Sequence, residues 1–168
     1  MDTKGTLTVT SAAVRNGETM PQSTVYAGMG CTGDNRSPDL QWTPGPAGTK
    51  SYAITMWDPD APTTIGFTHW VLFDIPADVT SLEDGAGRHG FFGIGGAAGT
   101  HGRNDFGDTK YDGPCPPPGH GTHHYHITVY ALDVEKLGAP EGASYAMFRF
   151  FAREHTLATG EIVGLYSR

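Results

Sequence analysis

YHITVYAL (residues 125–132) decides the fold. β-Branched and aromatic side chains dominate it, and such residues suit a pleated, half-buried surface. Two further stretches read the same way. SYAITMWD (51–58) alternates, with Tyr52, Ile54 and Met56 on one side and Ala53, Thr55 and Trp57 on the other. HWVLFDI (69–75) is a near-continuous apolar run, the pattern of a strand covered on both faces. TLTVTSAAV (6–14) reads as an edge strand and EIVGLY (161–166) as a closing strand. ASYAMFRFFAREH (143–155) has helical spacing instead, through Met147, Phe148, Phe151 and Ala152, with Ser144 placed as N-cap. Strands, long turns and one late helix predict an all-β dominated sandwich with a peripheral C-terminal helix.

The chain of 168 residues fits one domain, 1–168, and neither a repeat nor a composition break divides it. Glycine and proline exceed a fifth of the chain, so turns and loops are abundant. Residues 85–102 hold eight glycines and read as a long loop without helical or strand period. The net charge is −7 and the eleven basic residues are scattered. A basic face that tracks phosphates is thereby excluded, and nucleic acid is not an expected partner. No basic amphipathic helix is visible, and no apolar stretch approaches a membrane span. The N-terminus lacks the apolar core of a signal peptide. A cytoplasmic chain without membrane insertion is the expectation. Cys31 and Cys115 are too few for a disulfide framework, so reduced thiols are the default. Both lie in Gly/Pro-rich loops, and a single bridge between them is the alternative.

The chemistry concentrates in two proline-stiffened blocks. The first is DPDAP (58–62) followed by His69-Trp70; the second is YDGPCPPPGHGTHHYHITVYALD (111–133). Proline fixes φ, so such blocks hold polar side chains at small entropic cost. Two rigid polar blocks that run into strands read as two walls of one small-molecule pocket. The plainer reading of DPDAP is a turn capped by its own carboxylates. In the functional reading, one carboxylate accepts a hydrogen bond from a ligand or from His69. Ala61-Pro62 is a candidate cis bond. His69 alone would read as a core histidine, but a neighbouring Asp58 would fix its tautomer and favour its charged form. In HGTHHYH (120–126), strand alternation puts His123 and Tyr125 on one face and His124 and His126 on the other. His123 and Tyr125 then face the pocket. The spacing does not match a zinc motif, and no metal or cofactor is expected. GIGGAA (93–98) matches a dinucleotide string but lacks the flanking strand and helix, and no nucleophile elbow or P-loop occurs.

These blocks resemble a known family, the phosphatidylethanolamine-binding proteins, which include the Raf kinase inhibitor proteins and plant flowering regulators. The pattern is nearest to the small bacterial and archaeal branch. The matching segments are GDNRSPDLQW (33–42), KSYAITMWDPDAP (50–62), HWVLFDIPADVTSL (69–82), NDFG (104–107), YDGPCPPPGHGTHHYHITVYALDV (111–134) and the terminal EIVGLYSR. The resemblance implies a Greek-key β-sandwich with a large central antiparallel sheet and an anion pocket at one end. Carried over, the ligand-binding residues are Asp58, Pro62 and His69 from the first block, and Gly113, Pro116, Pro117, His123 and Tyr125 from the second. Family members hold phosphate, phosphoethanolamine, acetate or cacodylate there. Two departures stand out. The family's usual arginine after the second-block histidine is His124 here, and the helix that partly covers the eukaryotic pocket has no counterpart before Arg168. The Gly-rich segment is then a candidate lid or dimer contact.

The expected function is a small-anion or phosphate head-group binding protein that regulates or inhibits a partner protein, as a homodimer in the manner of bacterial relatives. The alternative is an enzyme. Asp58, His69, His123 and Tyr125 are competent acids and bases, and some members of the family class serve as cyclases or pericyclases.

Overall fold

The structure, a computed structural model, describes residues 5–88 and 99–168. In chain order the strands are β1 (Gly5–Thr6), β2 (Val9–Thr10), β3 (Ala27–Gly28), β4 (Cys31–Thr32), β5 (Leu40–Trp42), β6 (Ser51–Asp58), β7 (Phe67–Pro76), β8 (Ser81–Leu82), β9 (Thr100–His101), β10 (His123–Leu132) and β11 (Thr156–Tyr166). Helix α1 (Tyr145–Ala152) lies between β10 and β11.

The main sheet has the order β1-β11-β10-β6-β7-β9, and a smaller sheet has the order β2-β5-β8. The all-β class with a peripheral helix is as expected. The main sheet is mixed, however, because β1 joins β11 in parallel. Two antiparallel pairs, β6–β7 and β10–β11, form its centre. Their inner strands pair antiparallel, Ile127 opposite Met56 and Val129 opposite Ile54.

Alternation divides the buried side chains between two cores. Tyr52, Ile54, Met56, Tyr125, Ile127 and Val129 point into the larger one, which the small sheet closes with Val9, Leu40, Trp42 and Leu82. Ala53, Val71, Phe73, Tyr130 and Leu132 point the other way and meet Phe148 and Ala152 of α1. Strand β7 is thus covered on both faces, and its sequence reads as a run rather than an alternation. Ser144 caps α1, accepting from the Met147 N–H at 3.1 Å.

The 6–14 segment is not one strand. It crosses from the main sheet to the small one between Thr6 and Val9. The part of 85–102 that is described contains a strand the sequence hid, since Leu72 and Phe73 pair with His101 and Thr100. The GIGGAA motif lies outside the described residues. So does most of the candidate lid.

Irregular segments line both margins of the main sheet. Along β7, the amides of Gly102, Asp105 and Asp112 donate to the carbonyls of Val71, Thr68 and His69. Along β11, Leu7, Gly17 and Met20 donate to Thr159, Val163 and Leu165, and Leu165 donates back to Glu18.

Candidate functional site

Strands β6, β7 and β10 end together, and this brings the two sequence blocks into contact. Asp58 closes β6, His69 lies near the start of β7, and His123 and Tyr125 open β10. A cavity of about 230 Å³ opens between them. Asp58, Pro62, His69, Pro116, Pro117, His123 and Tyr125 all line it, with Met29, Phe67, Phe106 and Cys115 beside them. Gly113 is not among the lining residues. It sits behind the wall, where a Cβ would meet the Thr24 carbonyl oxygen at 1.9 Å. Glycine is therefore required for packing at that position.

The first block is folded as a turn and also serves the cavity. Asp58 is buried, and its Oδ1 accepts from the Asp60 N–H at 2.8 Å. Its Oδ2 lies 2.6 Å from His123 Nδ1. The partner of Asp58 is thus His123, from the other block, rather than His69. The cis bond expected at Ala61-Pro62 is absent, as the described residues hold none. The turn closes without it, through Thr63 Oγ1–H donating to the Gly66 carbonyl at 2.6 Å.

His69 is locked by the second block. Its Nδ1 donates to the Asp112 carbonyl at 2.9 Å, and the Asp112 N–H donates to the His69 carbonyl at 3.1 Å. A carbonyl only accepts, so the tautomer is fixed with the proton on Nδ1. Burial pushes the His69 pKa down, against smaller opposing effects of the Asp112 carbonyl and Asp58. His69 is consequently a neutral ring whose Nε2 is an acceptor. Tyr125, Phe67 and Phe106 pack around it at ring-centroid distances of 5.3, 5.2 and 5.6 Å. Burial raises the Tyr125 phenol, and the nearby Asp58 charge adds to the shift, so the hydroxyl stays protonated as a donor.

A buried network fixes Asp112. Asn35 Nδ2–H and Asn104 Nδ2–H donate to its carboxylate at 2.9 and 2.8 Å, and Lys110 pairs with it. Burial works to raise the Asp112 carboxyl, but these donors outweigh it and hold the pKa below the usual value. Asn35 Oδ1 accepts from the Gly113 N–H at 2.7 Å, so that amide is already engaged. Asn35, Asn104 and Asp112 were not singled out from the sequence. Their signal was a set of polar residues that no periodicity explains, Asn35 in GDNRSPDLQW, Asn104 in NDFG and Asp112 in YDGPCPPP.

Two contacts of the second block extend the site. His120 Nδ1 lies 2.7 Å from His123 Nε2. Cys115 is bonded to Cys31, with 6.0 Å between the Cα atoms. The expectation of reduced thiols is therefore corrected. The β3–β4 hairpin folds over the second block, and this proximity could not be read from cysteines 84 residues apart. On the opposite face of β10, His124 pairs with Asp60 at 2.8 Å and His126 approaches Glu161 at 3.4 Å. No group of three or more His, Cys, Asp or Glu side chains suited to a metal ion occurs among the described residues.

Comparison with known proteins agrees with this architecture. The model of the phosphatidylethanolamine-binding protein family matches residues 10–167. Protein YbhB of Escherichia coli (strain K12) is 46% identical over 158 residues, spanning 92% of this chain and 96% of its own. The crystal structure of E. coli YbcL, described as a new member of the mammalian PEBP family, superposes with a TM-score of 0.92. It is 41% identical and covers 96% of this chain and 98% of that one. A putative lipoprotein of Mycobacterium tuberculosis, LppC, is 36% identical over 82% of this chain and 61% of its own length. This chain belongs to the phosphatidylethanolamine-binding protein family.

Proposed function

We propose that the protein binds a small anion, of the class of a phosphate ester or phosphate head group, in the cavity between the two blocks. One observation carries this reading. Seven of the eight residues expected to hold a ligand line a single cavity, and proline rings wall it. Tyr125 supplies a hydroxyl donor. His69 Nε2 supplies an acceptor for a protonated oxygen or an ammonium group. The test is calorimetric titration of O-phosphoethanolamine and inorganic phosphate into wild type and His69→Ala. Saturable binding in the wild type that is lost in the folded variant supports the reading. Absence of binding to both compounds removes it. Vesicles containing phosphatidylethanolamine form a second arm, since sedimentation with them but no uptake of the free ester would assign the anion to lipid.

The acid–base reading rests on a separate observation, the buried Asp58–His123 pair at 2.6 Å. A carboxylate that orients an imidazole is the geometry of a general base. An enzyme of this class, a cyclase for example, would turn over its substrate in the wild type and lose that turnover in His123→Ala.

Regulation of a protein partner and homodimer formation belong to the same proposal, and sedimentation velocity across a concentration series tests the dimer. No helix among the described residues is long and apolar enough to cross a membrane. For location, the Cys31–Cys115 bond favours an oxidising compartment over the cytoplasmic expectation. The description of LppC as a putative lipoprotein points the same way. Thiol trapping of the protein in its native host distinguishes the two.

A further inference from the structure

The cavity poses an electrostatic problem for the anion proposed above. Asp58 is its buried carboxylate, and among the described residues neither lysine nor arginine lines it. His69 is held neutral by burial, and its one N–H is spent on the Asp112 carbonyl. The Gly113 amide is turned to Asn35. With neutral imidazoles, an entering anion meets a net negative site of low dielectric, where like charges repel strongly.

Among the side chains that line the cavity, positive charge can arise on His123, which belongs to a chain of three side chains. Asp58 Oδ2, His123 Nδ1, His123 Nε2 and His120 Nδ1 follow one another at 2.6 and 2.7 Å across the two gaps. His123 is buried and lines the cavity, whereas His120 is exposed and reaches the site through His123. Proton bookkeeping along this chain is simple. Asp58 accepts, so His123 carries a proton on Nδ1. In the neutral pair, a second proton lies on His120 Nδ1 and is donated to His123 Nε2. His120 Nε2 is then bare. A proton from solvent adds there, and the proton in the gap shifts to His123 Nε2. Charge thus appears on the buried ring, beside Asp58, without a proton having to cross the cavity.

We propose that His120 is a further member of the binding site, a positioning residue, and that the His120–His123 pair takes up a single proton from solvent whenever a small anion enters. This inference rests on the anion-binding reading and adds to it the way the site is neutralised. The other groups that face the pair leave it this role. On β6 and its turn, Asp58 bonds His123 and Asp60 is engaged by His124. On β7, His69 is neutral. On β10, Tyr125 stacks 6.4 Å from His123 and is protonated. On β11, Tyr166 lies opposite His123 in the ladder. Beyond it, the Arg168 guanidinium keeps its charge but donates to the Pro116 carbonyl at 2.7 Å and does not line the cavity.

Dimethyl phosphate is the suitable probe, because a phosphodiester stays singly charged across the imidazole range. It is titrated calorimetrically between about pH 5.5 and about pH 8, the span over which an imidazole changes charge. Two buffers of different ionisation enthalpy give the protons exchanged. The wild type is expected to take up about one proton per ligand at the upper end of the range, with affinity falling about tenfold per pH unit there. In His120→Ala the fall should begin at lower pH, and affinity near neutrality should drop severalfold. His126→Ala, on the opposite sheet face, should follow the wild type. Binding with no proton uptake and a flat pH profile overturns this inference and leaves the anion reading intact. Uptake that is unchanged in His120→Ala overturns the role of His120. A wild type that binds no dimethyl phosphate at any pH overturns this inference, and one that also binds neither O-phosphoethanolamine nor inorganic phosphate removes the anion reading with it.

Discussion

His123 and His124 are neighbours on one strand, and each pairs with an aspartate from the same DPDAP turn. The resemblance ends there. The His123–Asp58 pair is 1% and 3% exposed, while the His124–Asp60 pair is 50% and 38% exposed. Both distances are short, 2.6 and 2.8 Å. Identical chemistry on one ladder acquires two different environments because successive side chains leave a strand on opposite faces. The pair on the inner face is shielded from water and couples to a cavity. The pair on the outer face is solvated, and its charges are screened. Residue type and distance therefore do not define this site; strand parity does.

The contrast can be broken most sharply by removing each aspartate. Asp58→Ala leaves His123 buried without its partner, and a loss of about 3–5 kcal/mol is expected. Asp60→Ala should cost about 1 kcal/mol or less, the range of exposed pairs. Urea unfolding of the two variants measures both. Equal losses would refute the difference drawn between the two faces.

A second perturbation acts on the cavity wall alone. Replacing Cys31 and Cys115 together by serine opens a loop with a sequence separation of 84 residues, and about 2–4 kcal/mol of stability should go with it. Thermal unfolding with and without reductant makes the same comparison in the wild type. An unchanged midpoint would mean that the hairpin packs independently of the bond.

The smallest of the three effects sharpens the comparison by pH. The folded pKa of His69 lies below its unfolded value of about 6.5. Below that pH the unfolded chain binds more protons than the folded one, so stability falls as pH decreases. The limiting slope is about 1.4 kcal/mol per pH unit for this single group. His69→Gln should flatten stability between about pH 6.5 and about pH 5 relative to wild type. His126→Ala, at a partly exposed ring, should leave that slope in place. A steep loss that persists in His69→Gln would assign it elsewhere.

Much of this arrangement was legible in the sequence. The bounds of β6 and the opposite facing of His123 and His124 follow from period-two alternation in Tyr52–Trp57 and in HHYHITVYAL. The convergence of two proline-rich blocks was also readable, because each runs directly into a strand. What escaped depended on register and on long-range closure. The choice of His123 rather than His69 as partner of Asp58 is set by the pairing of Trp57 with His126, which no local pattern encodes. His120 precedes the strand, between Gly119 and Gly121, both with positive φ. Strand parity says nothing about a side chain that a glycine turn folds back over its neighbour. β9 has two residues in a glycine-rich segment, too short for any period to register. The break in 6–14 is similar, since alternation fixes a face but not the sheet to which it belongs.

The irregular segments along β7 and β11 have a consequence for assembly. A long strand at a sheet margin normally offers a row of unpaired amides and carbonyls, a template for another chain. Here residues 99–112 occupy that row on one side, and residues 5–20 occupy it on the other. Among the described residues, segments of the same chain thus take up bonding positions along the outer sides of β7 and β11. A second copy, or a partner with an extended peptide, therefore finds these positions on β7 and β11 already taken by the chain itself. The same taping keeps the edge of a ten-residue, largely apolar strand from presenting an uninterrupted row of free amides and carbonyls.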